Sequence, residues 1–574
     1  MGRAFLPALS ISAIGAICTA SCARNPAPAR RLPQQSVDAR VAIHVLNRVT
    51  FGPRPGGVER VQAMGVDRYV DEQLHPERMP DLELERRLAA LPALGVSAST
   101  FATVYYQPMI KARQEFTATQ KLSAGGAKLP ALRWHLQPIA AVSLPGGTKA
   151  VSVLSQAAVT PEELFFQREN QQIFDELQAQ KVLRAVYSER QLQEALTDFW
   201  FNHFNVDARK IEDRPVVVEY ERDVIRPHVL GRFRDLLDAT AKSPAMLFYL
   251  DNWLSAAPPV VQAPRPSDGP QRSRPASQRG SPASSQGAAA PKPVTPGRGL
   301  NENYARELME LHTLGVDGGY TQHDVMEVAR CFTGWTMRNP HDGSGFFFND
   351  KVHDHGAKRV LGHRIREGRG IEDGEQVLDI LSRHPSTARF IATKLVRRFV
   401  ADAPPKTLVD RAARTFSRTD GDLREVVRTI LSSREFYAAA AYRAKVKSPF
   451  EYVVSALRAT NASVTNVRAF VGIIGALGEP LYQCQPPTGY GDRAEAWINT
   501  GALVARVNFA QNLAANGANA SKVDLTDQAA PSRLSAAVLG DELSDGTRLT
   551  MAAPQASPAV KIGLLLGSPE FQRR

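Results

Sequence analysis

The sequence predicts a mostly α protein, a multi-helix globular fold in which two helical regions pack together around a disordered Pro/Ser-rich insertion. Three observations predict it. Apolar residues recur at steps of three and four through most of the chain. Alternating apolar runs are few and short. The stretch 255–299 breaks the helical period with ten prolines, many Ser, Gln and Gly, and almost no large apolar side chain. Such a stretch cannot bury enough surface to offset the entropy of ordering it.

The region 37–254 forms the first helical half. Leu192, Leu196, Trp200 and His203/Phe204 share a helix face in it. The second half, 300–574, repeats the period in Tyr304, Leu308 and Leu311, in Val325, Val328/Ala329 and Phe332, in Phe390/Ile391, Leu395 and Phe399, and in Val426/Val427 and Ile430/Leu431. Thr321 and Asp324 have the spacing of a capping box. Asp420-Gly421-Asp422 lacks the ligand series and closing Glu of a calcium loop, and reads as a turn followed by a helix N-cap. The apolar runs 216–218 and 346–348 are too short to found a sheet. Residues 514–557 read as loosely structured, ahead of a last helix over 559–566. The segment from Leu431 to Phe436 matches that from Leu566 to Phe571 in Leu, Ser, Glu and Phe, each after an apolar helix, which points to a repeated helix-end device rather than a duplicated domain.

Residues 1–22 read as a signal peptide. Arg3 supplies a thin positive region, 4–17 an apolar segment too short to anchor across a bilayer, and small residues lead to Cys22. Thr19-Ala20-Ser21-Cys22 resembles the lipobox of bacterial lipoproteins, with Thr19 where an aliphatic residue is usual; ordinary cleavage near Ala20 or Ala23 is the alternative. The expectation is an exported protein, periplasmic or held to a membrane by lipid on Cys22, with 23–36 as a flexible tether. Cys331 and Cys484 are then too few for a disulfide scaffold or a four-cysteine zinc site, and their pairing depends on geometry.

The net charge is +12, but 256–299 holds six Lys/Arg against one Asp, and the remaining excess is mixed among acids. This favours a solvated basic surface, near anionic lipid, over a specific nucleic-acid partner. The chain has no phosphate-binding loop, no dinucleotide fingerprint, no His-Glu-x-x-His pair, no Gly-x-Ser-x-Gly elbow and no haem-attachment motif.

Four constellations remain. On the helix over 301–314, Asn303, Glu307 and Glu310 share a face, Glu302, Arg306 and Glu310 are spaced for i,i+4 ion pairs, and His312 lies at the helix end, where the dipole favours a cationic imidazole. This is either a carboxylate pair with His for metal binding or acid–base work, or an arginine-clamped packing network. In Asp198-Phe-Trp-Phe-Asn-His203-Phe204 the aromatics desolvate His203 and favour a neutral ring, either ligand or core histidine. His353-Asp354-His355-Gly356 offers metal ligands or turn chemistry. In 489–500, Trp497 and Asn499 either line a pocket or anchor the loop.

Several separated motifs resemble one family, the bacterial proteins called domain of unknown function 1800. They are His44-Val-Leu-Asn-Arg48 through Pro53, Phe199-Trp200-Phe-Asn202-His203-Phe204, Asn301 through Glu307 to Leu314-Gly315, Gly319-Tyr320-Thr321, Phe332-Thr333-Gly334-Trp335, His353-Asp354, Ala496-Trp497-Ile498-Asn499 and Gly567 to Phe571. The resemblance implies a helical, exported bacterial protein and a neighbour of a sulfatase-like family, domain of unknown function 1501; it implies no reaction. The family's Trp-His-Asn-His-Phe reads Phe201 here at its first His, which moves weight to His203 with Glu307, Glu310 and His353. Three functions compete. The first is binding or assembly with an exported partner such as the sulfatase-like neighbour. The second is a metal-assisted hydrolase, with a divalent metal on His203, His353 and Asp354, acid–base work by Glu307, Glu310 and His312, and Arg48 binding an anionic substrate. The third is polyanion binding through the basic surface. The hydrolase requires three or more of these residues around one cleft.

Overall fold

Polar residues at helix starts set many of the element boundaries. Thr160 accepts from the Glu163 N–H and Pro161 opens the 27-residue helix Pro161–Tyr187. Thr321 and Asp324 form the expected reciprocal capping box on Gln322–Cys331, and Ser448 with Glu451 forms another on Pro449–Ala459. Asp422 caps Leu423–Leu431, after Asp420 and Gly421 turn the chain at φ 52° and 76°.

The computed structural model describes residues 37–123, 159–211, 214–258, 299–338, 343, 345–517, 520–523, 529–540, 543–553 and 556–574. The expected signal peptide, Cys22, the tether and most of 255–299 lie outside the described residues. The rest belongs to one compact unit, Val37–Arg574. It is mostly α. Its strands pair only in twos, all antiparallel: Trp335–Met337 with Phe346–Phe348, Lys358–Val360 with His363–Ile365, and Ser463–Val464 with Ser521–Lys522. The run 216–218 is helical, within Arg214–Glu219. Among the described residues no helix is long and apolar enough to cross a membrane.

The helical periods point inward as expected. Leu192, Leu196, Trp200 and Phe204 are all buried, and Trp200 packs against Phe204 and Phe233. Leu423, Val426, Val427, Ile430 and Leu431 fill the buried face of their helix. The two Leu-to-Phe echoes are one device used twice: the Ser433 hydroxyl accepts from the Phe436 N–H and the Ser568 hydroxyl from the Phe571 N–H, each at 3.2 Å, with both phenyl rings buried. One reading is corrected. Within 514–557, Ala530–Leu539 and Asp545–Ala552 are helices. Their apolar pattern is weak, but Pro531 and the Ser544 cap start them, and Val538 and Leu539 are buried.

The chain's two halves interlock through buried polar contacts. The His44 Nε2 meets the Phe436 carbonyl at 2.8 Å, Arg458 donates to the Gly52 and Val186 carbonyls, and Asn205 donates to the Cys484 and Pro486 carbonyls. Of these residues, Asn205 and Cys484 line a cleft.

Candidate functional site

The helix Gln191–His203 carries the aromatic motif, and its last turn faces two ways. Trp200 turns into the core. Asn202 clamps a loop, its amide donating to the Tyr490 carbonyl at 2.9 Å and accepting from the Tyr490 N–H at 2.7 Å. The loop approaches so closely that a Cβ on Gly489, at φ +72°, would lie 2.2 Å from the Asn202 carbonyl oxygen. Loop and helix thus wall one side of a cavity of 310 Å³.

The opposite wall comes from Pro385–Phe399. Its apolar residues Ile391, Leu395 and Phe399 are buried, and Lys394, Arg397 and Arg398, spaced i, i+3 and i+4, reach the cavity. Glu451, Glu479, Tyr482, Trp497 and Arg574 complete most of its lining.

His203 links the two walls. Its Nε2 lies 3.1 Å from the His312 carbonyl and its Nδ1 lies 2.8 Å from the Lys394 Nζ. A carbonyl only accepts, so Nε2 carries the proton and Nδ1 accepts from the lysine. Burial, with help from Lys394 and His312, holds this imidazole neutral, well below its usual range. The expected neutral histidine is present, with both nitrogens engaged. His312 supplies the carbonyl because its helix ends in a wide turn, Leu308–Thr313, where the Leu314 N–H reaches back to Met309, and Gly315 at φ +83° stops the helix. The expectation of a cationic His312 is corrected: burial and Lys394 push it down to about 3, outweighing the helix dipole.

Trp497 lines this site, whereas Glu307, Glu310, His353 and Asp354 do not join it. Glu307 is half-buried, its carboxyl raised by burial and by Glu310, and Glu310 accepts from the Tyr320 hydroxyl at 3.0 Å. Arg306 does not clamp them: it donates to Gln322, which donates to Glu302. His353 and Asp354 belong to a separate buried network. Asp354 takes a bidentate pair of bonds from Arg330 at 2.7 and 3.0 Å; the His353 Nδ1 lies 2.8 Å from the Thr333 carbonyl, and its Nε2 3.4 Å from Asp373, which also binds Lys358. That network fixes the turn over 352–358 onto Gln322–Cys331. Among the described residues no group of three or more His, Cys, Asp and Glu is placed to hold a metal ion. The six-residue hydrolase site therefore does not assemble in the described residues. Cys331 and Cys484 are separate buried thiols; burial pushes Cys484 up to about 11 and Cys331 further.

Arg48 is fully buried behind the cavity wall. It donates to the Ala441 carbonyl, and its Nε and Nη1 have no partner. It belongs to a linked cluster in which Arg48, Lys394, Arg397, Arg398, Lys445 and Arg574 interact with four carboxylates, Asp198, Asp402, Glu451 and Asp492. Glu451 serves two guanidiniums at once, Arg398 at 2.6 Å and Arg574 at 3.0 Å. Among the described residues no carboxylate lies within ion-pair distance of Lys394 or Arg397; Arg397 has only the Asp402 carbonyl, at 3.4 Å. The site is a cleft with two part-buried cations, Lys394 and Arg397, that no carboxylate of the described residues pairs directly. Lys394, Arg397 and Arg398 were absent from the residues singled out by sequence, although their spacing on an otherwise apolar helix was a usable signal.

The motifs that build this cleft are also those that resembled a family. The family model described as a protein of unknown function, DUF1800, matches residues 44–573. The chain belongs to this family. No curated protein and no solved structure matches it. In this DUF1800 chain the aromatic motif, the Asn301–Gly315 segment and the Gly489–Trp497 segment meet around His203, and Phe201 sets an aromatic ring against Tyr220 and Tyr482.

Proposed function

We propose that this protein is a binding protein whose cleft takes a small anionic ligand. One observation carries the reading: Lys394 and Arg397 line the cleft without a carboxylate partner, in a cluster that already has more cations than carboxylates. A part-buried charge without a counter-ion loses hydration that nothing replaces, and a bound anion would supply the missing partner. The Tyr490 and Trp497 rings give the same cleft apolar faces.

Calorimetric titration with inorganic phosphate and with succinate tests this. At least one anion should bind, and Arg397→Met should weaken it at least about tenfold, the scale of one lost charge-assisted hydrogen bond. Affinity should fall as pH rises through about 8, where burial places Lys394, rather than near the usual lysine range. Binding that is unchanged in Arg397→Met and level across that window would sink the idea.

The proposal extends to the setting. The leader pattern over 1–22 supports export and lipidation on Cys22, and the family resemblance supports a sulfatase-like exported partner. Cells fed radiolabelled palmitate should label the chain and not its Cys22→Ala variant, and the partner should co-purify under mild detergent. An unlabelled chain, or a partner that never co-purifies, would remove the corresponding part.

A further inference from the structure

We propose that Lys394 is a nucleophilic amine that forms an imine with a carbonyl compound entering the cleft. The inference uses the residue the anion reading also uses, but it needs the amine's chemistry and not its charge.

The geometry comes from His203. Because the His203 Nε2 proton is committed to the His312 carbonyl, Nδ1 always presents a lone pair, and Lys394 donates one N–H to it at 2.8 Å whether the amine is charged or neutral. The nitrogen's remaining positions are then held off that line. A neutral Lys394 thus keeps its own lone pair away from the imidazole, and the side chain lines the cavity. The groups facing Lys394 are His203 and His312 from the two opposing helices, Arg397 from its own helix, and Asp492 from the loop. Asp492, the Phe390 ring at 5.6 Å and the His203 Nδ1 lone pair favour the ammonium, and the Asp492 carboxylate is itself engaged by Lys445 at 3.2 Å. Burial outweighs them and brings the amine down to about 8, so a usable fraction is neutral at neutral pH. Desolvation beside another cation is a known route to a reactive lysine.

The step balances without a redox partner. The ammonium gives one proton to solvent. The nitrogen lone pair attacks the carbonyl carbon, a C–N bond forms, and the carbonyl π pair moves to oxygen. The oxygen takes up the nitrogen's two remaining protons, the C–O bond breaks, water leaves and a neutral imine results. Arg397, one turn along the helix and without a carboxylate partner, is placed to hold the carboxylate of a 2-oxo acid.

The test is reductive trapping on the full chain at pH 7.5, with sodium cyanoborohydride supplying the hydride and peptide mapping locating the adduct. Two probes separate the two readings: propionaldehyde is neutral and glyoxylate is anionic. Lys394 should be modified at least about tenfold faster than any other lysine, with a pH midpoint near 8 that a merely structural lysine would not show, and Lys394→Arg should abolish that fast site. Fast labelling by propionaldehyde with no preference for glyoxylate supports the amine and counts against the anion reading. Labelling of Lys394 by both probes no faster than surface lysines overturns the inference, even if phosphate binds.

Discussion

Glu451→Gln is expected to destabilise the fold by about 3–5 kcal/mol, the scale of breaking a buried ion pair by removing one partner. Glu451 sits in the first turn of Pro449–Ala459 and has three tasks. It accepts from the Ser448 N–H as half of the capping box and from Arg398, and it forms an ion pair with Arg574 at 3.0 Å. Burial would raise this carboxyl, but Arg574 and Arg398 outweigh burial and hold it at about 2. Glutamine keeps the volume and one carbonyl oxygen, so the cap is largely retained and the charge is lost. Arg48, Arg398, Arg574 and Lys447 would then face one another with the nearest shared anion gone. The linkage gives a matching pH signature. A carboxyl whose folded pKa lies below its unfolded value stabilises fully above about 4.5 and loses that contribution as pH falls towards 2. Urea unfolding of both proteins at pH 7 and pH 3 is the measurement. A loss at pH 7 of under about 1 kcal/mol, the range of exposed pairs, would mean that the cluster is solvated rather than buried.

That cluster also shows what the sequence could reveal and what it could not. The apolar period of Phe390/Ile391, Leu395 and Phe399 was legible because every member lies on one helix, where spacing alone fixes the face. The same holds for the capping boxes and for the low basicity of His203, since the aromatics that desolvate it are its chain neighbours. Lys394, Arg397 and Arg398 sit between those apolar residues and look like an ordinary solvated face. They become a site only because Gln191–His203 and the loop at 489–492 close over them from distant parts of the chain. Glu307, Glu310, His353 and Asp354 illustrate the converse. They were conspicuous by density, but Glu310, His353 and Asp354 find partners within their own neighbourhoods and Glu307 does not line the cleft, and density in sequence carries no information about which residues face a cavity. Arg48 lay between these cases: its motif marked it, yet its role depends on Arg574 and Glu451 at the far end of the chain.

The second large expected effect is a fall of about 2 kcal/mol between pH 6.5 and 8 in the stability that Glu479 contributes. Burial, then Asp198, raise this cleft carboxyl to about 8, against the pull of the Phe450 N–H at 2.8 Å. Between pH 4.5 and 8 the unfolded chain has released this proton while the native chain keeps it, so the stabilisation is whole below 4.5 and is lost as pH rises through about 8. Below 6.5 the effect is masked. His44 at about 4, His312 at about 3 and the equally lowered His203 are neutral in the native state and take up protons on unfolding, so they drive stability the other way. Above 8 Lys394 takes over with rising stability towards its usual range. Lys447, held well below its usual range by burial, opposes the Glu479 slope in the net profile, so the Glu479 part has to be read as a difference. Glu479→Gln isolates the cause, because subtracting its profile from that of the native chain cancels every other group. The difference should slope downward throughout pH 5 to 8. A level difference would show that Glu479 is ionised in the folded protein, and the consequence would reach the cleft. With Glu479 neutral, an entering anion meets Lys394 and Arg397 without opposition from this carboxyl; above pH 8 the carboxyl gains a charge while Lys394 loses one, and both changes repel the same ligand.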